Sequence, residues 1–149
     1  MSRHDPALFQ LASYPHHTEL FPRSADLDSF RHINNAAMAA LLEEARSRFN
    51  RASGFEAQPP AFGMVIVSMT IDFLAEAGYP APLLVGTAIG EIGRTSFVQH
   101  QLVLQDGQPV ALSRATMVNV VGGTKSPLAE DRRIALQPWL LGASAEVQR

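Results

Sequence analysis

The chain has 149 residues, 46% of them hydrophobic and 17% charged, which is enough for one domain with its own core and too short for two full ones. It contains no Cys, so disulfide frameworks, thiolate zinc sites, iron–sulfur clusters and cysteine nucleophiles are excluded. A formal net charge of -2 supplies no global basic field, so neither nucleic acid nor an anionic membrane is an expected partner.

No apolar run approaches the roughly 18 residues of a membrane-spanning helix, and Asp5, Pro6 and Gln10 interrupt the start where a secretory leader would be apolar. The expectation is a soluble, cytoplasmic single domain over residues 1–149, with 1–14 as an N-terminal extension and 137–149 as a tail. Residues 16–23, HHTELFPR, mix apolar and polar positions as an edge strand does, and Pro22 suits an edge. His16 and His17 point to opposite faces of such a strand, so one metal ion cannot easily take both, and a surface pair is expected. Residues 24–31, SADLDSFR, are rich in side chains that hydrogen-bond their own backbone, which predicts a loop. The helix-forming run after it has Asn34 as its N-cap and Gly54 as its stop.

Residues 62–74, FGMVIVSMTIDFL, read as a long strand with Val65, Val67, Met69, Ile71 and Phe73 on one face and Ser68, Thr70 and Asp72 on a solvated one. A turn-rich break at 75–82 precedes two further strands, 83–93 and 95–105, and Asp106-Gly107 predicts a hairpin into a last strand over 108–121. Gly86, Gly90 and Gly93 fall inside strand patterns, which marks bulges or close backbone contacts instead of a phosphate cradle. One short helix is expected between Ser126 and Leu136. One strand, one long helix and four hairpin-linked strands make an α+β fold in which the helix covers the apolar face of an antiparallel sheet of about five strands.

Signatures of serine-triad, nucleotide-loop and zinc-helix chemistry are absent. The informative stretch is residues 23–46, RSADLDSFRHINNAAMAALLEEAR, where an acidic loop feeds into the amino end of the principal helix. A helix amino end presents unpaired N–H groups and partial positive charge, suited to a carbonyl oxygen that becomes an oxyanion. Asp28 precedes Asn35 by seven residues, close enough for a base and an oxyanion donor to share one pocket. The alternative is that Asp26, Asp28 and Asn34 only satisfy turn and cap geometry.

Asp26, Asp28, His32, Ile33, Asn34, Asn35 and Ala36, followed by Glu43, Ala45 and Arg46, form a D-x-D-x-x-x-H-I-N-N-A then E-x-A-R pattern. This pattern resembles the acyl-CoA thioesterases of the hot-dog fold, the 4-hydroxybenzoyl-CoA thioesterase-like group. The resemblance implies one long central helix wrapped by an antiparallel sheet, and homodimers or homotetramers with sites formed between subunits. It implies hydrolysis of an acyl- or aroyl-CoA thioester, with Asp28 as general base or nucleophile, the amide at Asn35 polarising the carbonyl, and Asp26 structural. His32, Asn34, Met38, Arg94 and Ser96 are the expected substrate-binding residues. Met38, Leu41 and residues 62–69 are the expected acyl-pocket wall, and Arg94, Arg114 and Lys125 the candidate cations for the coenzyme's phosphates. A thiolate leaves readily, so no metal and no cofactor beyond the coenzyme A of the substrate is expected. Glu43 and Glu44 are expected as ion-pairing or interface residues, with Arg46 to Arg48 in reach by helical spacing. Three residues depart from the family pattern: Leu27 replaces a frequent Thr, Arg31 stands where Gly is common, and Met38 stands where an aromatic is usual. Two other functions stay open, a dehydratase or hydratase acting on acyl thioesters with the same fold, and a non-catalytic acyl-CoA-binding module.

Overall fold

Alanine, leucine and arginine dominate residues 35–52, and in the computed structural model, which describes residues 4–55 and 63–143, this stretch forms α1 (Asn35–Ala52). Asn34 caps it by accepting from the Ala37 N–H at 2.7 Å, and Gly54, at φ 74°, lets the chain leave. Met38, Leu42, Ala45 and Phe49 recur at helical spacing and are buried. Arg46 shares that face: its guanidinium donates to Gln101 Oε1 at 3.0 Å while Gln101 Nε2 donates to the Leu42 carbonyl at 3.0 Å, stitching the helix to the sheet. Burial lowers the Arg46 pKa, with the charge of Glu43 opposing the shift.

The sheet is antiparallel throughout: β1 (His16–Leu20), β3 (Leu83–Ile92), β4 (Ser96–Gln105), β5 (Gln108–Val121) and β2 (Gly63–Phe73) lie side by side in that order. α1 packs on β1 and β3, and this curled sheet around one helix is the α+β arrangement that the element order predicts. The strand expected over 16–23 ends at Leu20, before Pro22, and it is an edge strand. The loop expected over 24–31 contains one 3-10 turn, Ser24–Asp26. Phe62 lies outside the described residues, as does the chain beyond residue 143. Asp106 and Gly107 turn the β4–β5 hairpin at φ 51° and 75°, the left-handed pair that a two-residue hairpin needs. Gly122 and Gly123 make a second such turn into β6 (Thr124–Lys125), a short strand beside β5 that the sequence reading did not contain. The tail helix is α2 (Glu130–Leu136).

Two expectations need correction. The single apolar face of β2 is broken, because the register against β5 shifts between Ile66 and Ser68. Cross-strand partners share a face, so Met64, Ile66, Met69, Ile71 and Phe73 look inward while Val65, opposite Val118, looks outward. β2 is also exposed on both sides, with Val65 42%, Val67 56% and Phe73 50% accessible. His17 is exposed as expected, whereas His16 is half-buried: its ring packs edge-on to Phe49 and Trp139, and burial, with the neighbouring His17, lowers its pKa.

The N-terminal extension has structure of its own. The 3-10 turns Pro6–Phe9 and Leu11–Ser13 lie on the outer sheet face, where Leu8 and Tyr14 cluster with Ala88, Leu102 and Leu112. A side chain at Gly86 would approach Tyr14 to 2.8 Å, which explains a glycine inside this strand as the close contact expected there.

Candidate active site

The loop into α1 is held by backbone hydrogen bonds that leave its side chains few alternatives. The Asp28 N–H donates to the His32 carbonyl at 2.9 Å, the Arg31 N–H donates to the Asp28 carbonyl at 3.0 Å, and the loop closes between Leu27 and Ile33. Closing it places Arg31 at φ 65°, the left-handed conformation that explains why glycine is common there in the family pattern. Arg31→Gly relieves that conformation and is expected to stabilise the protein by about 0.5 to 1 kcal/mol. A melting temperature that stays level or falls would show that the Arg31 side chain offsets the strain.

Below the loop, Asp26 is buried and accepts from the Arg23 N–H at 2.7 Å and the Arg23 guanidinium at 2.9 Å, as a structural acid would. The Arg23 side-chain hydrogen bond holds the Asp26 carboxyl below its usual value, against an opposing contribution from burial. The folded value thus lies under the unfolded one of about 3.9, so the stabilisation is intact above about pH 4 and is lost as pH falls through the folded value. Asp26→Asn should therefore lower the melting temperature at pH 7 by more than at pH 3, and an equal deficit at both would contradict this role.

Asp28 and Asn35 meet in one place. A cavity of about 320 Å³ is lined by Asp28, His32, Ile33, Asn35, Met38 and residues 73–77. One carboxylate oxygen of Asp28 accepts from the Phe30 and His32 amides at 2.9 and 3.1 Å, which is the turn role weighed for it, and fixes the carboxylate's direction. Asp28 Oδ2 makes no hydrogen bond among the described residues. Asn35 opens the helix at its first position, where the backbone N–H has no intrahelical acceptor. Met38 is buried at the cavity floor.

The remaining predicted residues divide. His32 lines the cavity, its Nε2 lying 3.1 Å from Glu76 Oε2. Asn34 does not: its Oδ1 caps α1 and its Nδ2 donates to the Asp26 carbonyl at 2.9 Å, so it shapes the loop. Arg94 and Ser96 sit at the β3–β4 turn, at the opposite end of the sheet, roughly 30 Å of strand away within this subunit. Arg114 lies on the outer face, 3.8 Å from Glu91, and Lys125 is exposed on β6. Glu44 pairs with Arg48 at 2.8 Å. Within this subunit the strand contribution to the cavity comes from Phe73 and Leu74, beyond the stretch ending at Met69. Phe73, Leu74 and Glu76 were not among the predicted site residues; the run FLAEAG directly after the long strand was the available signal. Among the described residues no group of three or more His, Asp or Glu could hold a metal ion, and no helix is long and apolar enough to cross a membrane.

A sequence profile of the thioesterase-like superfamily matches residues 22–143. The chain belongs to that superfamily and is a thioester hydrolase. Its fold is similar to that of a predicted thioesterase from Bacillus stearothermophilus, 27% identical, with a TM-score of 0.76 over 83% of this chain and 95% of that one. A thioesterase from Thermus thermophilus, complexed with coenzyme A and Zn, is 26% identical with a TM-score of 0.76, over 85% of this chain and 95% of that one. A 1,4-dihydroxy-2-naphthoyl-CoA thioesterase from Synechocystis, at 20% identity and a TM-score of 0.70 over 81% and 94% of the two chains, shares the fold. Comparison with curated proteins finds no significant match. The hot-dog fold implied by the motif is thus the fold of this thioesterase-superfamily chain.

Proposed function

We propose that this thioesterase hydrolyses an acyl- or aroyl-CoA thioester to the free acid and coenzyme A, with Asp28 as general base or nucleophile and the helix amide at Asn35 as oxyanion donor. The observation that carries the reading is the single cavity lined by both residues, with Met38, Ile33 and Phe73 offering apolar surface to the acyl group. The thioester carbonyl oxygen would lie against the Asn35 N–H. In one route Asp28 takes a proton from water as the water oxygen bonds to the carbonyl carbon. In the other, Asp28 attacks the carbon itself and the resulting anhydride is then hydrolysed. In both, the carbon–sulfur bond breaks and the coenzyme leaves as thiolate, and neither route calls on a metal or further cofactor. Oxyanion donors of this kind are worth about 100- to 1,000-fold in kcat.

The exposed edge of β2 supports a second part of the reading. Among the described residues no strand pairs with the outer edge of β2, and a long apolar edge of this kind is a template for another strand. We propose a homodimer in which β2 pairs antiparallel with its copy. That pairing sets the Phe73 end of one subunit beside the Gly63 end of the other, and so brings Arg94 and Ser96 of the partner subunit toward the Asp28 cavity, where the arginine can meet the coenzyme's phosphates. Sedimentation velocity of the purified protein would show this dimer and any further association into tetramers.

The test is thiol release from acetyl, medium-chain, long-chain and aroyl-CoA thioesters. Release from at least one class is the expected result. Binding without release would favour a non-catalytic module, and water addition to an enoyl thioester would favour a hydratase.

A further inference from the structure

We infer that Glu76 sets the charge specificity of this site, disfavouring acyl groups that carry a carboxylate and admitting neutral ones. The inference rests on the thioesterase reading above and deepens it.

The charges on the cavity wall are one-sided. Its lining holds two carboxylates, Asp28 and Glu76, and one imidazole, His32, and none of the lining residues is Arg or Lys. Arg31 is exposed on the loop and is not part of that lining. The rest of the wall consists of Ile33, Met38, Phe73, Leu74, Ala75, Ala77 and the amide residue Asn35.

Glu76 is placed there by the backbone. The Ile33 N–H donates to the Ala77 carbonyl at 2.7 Å, tying the segment after β2 to the loop that carries Asp28. This tie sets Glu76 Oε2 3.1 Å from His32 Nε2, on the wall of the cavity that Asp28 and Asn35 also line. A thioester whose carbonyl carbon is held at Asp28 must lay its acyl group along this wall. An acyl carboxylate would then share a cavity of about 320 Å³ with two carboxylates and, within this subunit, no lysine or arginine, the arginine proposed from the partner subunit being engaged by the coenzyme's phosphates. His32 offsets Glu76 only when protonated; as a neutral imidazole it leaves that charge in place. The phosphates of the coenzyme lie at the far end of the pantetheine arm, away from the acyl group.

The Glu76 side chain is 77% exposed, so solvent screens it and its share of the discrimination falls at the low end of the Coulomb range, about three- to tenfold in kcat/KM. A contribution of this origin shrinks as salt is added, whereas discrimination by shape does not.

The experiment compares matched neutral and anionic thioesters, butyryl- against succinyl-CoA and benzoyl- against 4-carboxybenzoyl-CoA, using the series that the enzyme turns over faster. The wild type should prefer the neutral member by at least about tenfold, with the preference falling as ionic strength rises. Glu76→Gln should narrow the ratio by about three- to tenfold, and Glu76→Asp, which keeps the charge, should restore most of it. A purely structural role would lower kcat/KM for both members alike in Glu76→Gln and leave the ratio in place, which would overturn the inference. A wild type preferring the anionic member would overturn it as well. Thiol release from none of these or the other thioesters would instead be a failure of the thioesterase reading.

Discussion

Replacing Asp28 by Asn is expected to lower kcat/KM for thiol release by about 100- to 10,000-fold, the range that a positioned general base contributes. The substitution separates the two roles that the loop gives this residue. An amide oxygen can still accept from the Phe30 and His32 N–H groups, so the turn survives and the melting temperature should stay close to that of the wild type. What is lost is the carboxylate that takes a proton or attacks the thioester carbon. Activity retained within tenfold in a folded Asp28→Asn protein would confine Asp28 to its turn role and remove it from the chemistry.

The second large effect is expected at the subunit edge. Met69 looks inward from β2, opposite Ala115, and is 39% exposed, so Met69→Arg places a charge on the bare strand without opening the subunit's own core. In the proposed dimer two copies of that charge approach each other across the paired strands, out of water. Burying an unpaired charge costs several kcal/mol, enough to raise the dimer dissociation constant by at least about 100-fold. Activity at nanomolar enzyme should fall with the dimer and recover in part as concentration rises. In the proposed dimer Arg94 of the partner subunit would complete the site, so mixing Asp28→Asn with Arg94→Ala subunits should regain activity, since each mixed dimer would contain one intact site. A fully active Met69→Arg monomer would contradict the shared site.

Much of this arrangement is legible locally. Asn34 and Gly54 bracket α1 because capping chemistry is decided within a few residues, and the Asp106-Gly107 turn follows from two positions that need positive φ. The D-x-D pattern pointed to Asp28 beside the helix amides because both lie on one short stretch of chain. The bulge at Val67 is a different matter: a single extra residue in one strand leaves no compositional mark, yet it turns Val65 to the other face. His16 is ordinary as an edge residue until Phe49 and Trp139, from distant segments, close around it. The extension before β1 has no run long enough to show a strand or helix period, and it gains its 3-10 turns by laying Leu8 and Tyr14 on a sheet face that only the full fold creates. Glu76 is missed for the same reason, since it reaches His32 only once the end of β2 is tied to the loop through Ile33 and Ala77. The turn at Gly122-Gly123 did carry a readable signal for β6.

The most direct test of the shared carboxylate and amide is a crystal structure of the enzyme with a ketone analogue of acyl-CoA, in which carbon replaces the thioester sulfur. The expected complex has the ketone oxygen about 2.7 to 3.1 Å from the Asn35 backbone nitrogen, with the Asp28 carboxylate on the open face of the carbonyl carbon, directly or through one water. An analogue bound with its carbonyl turned from the start of α1, and with Asp28 outside the reach of one water, would contradict the account.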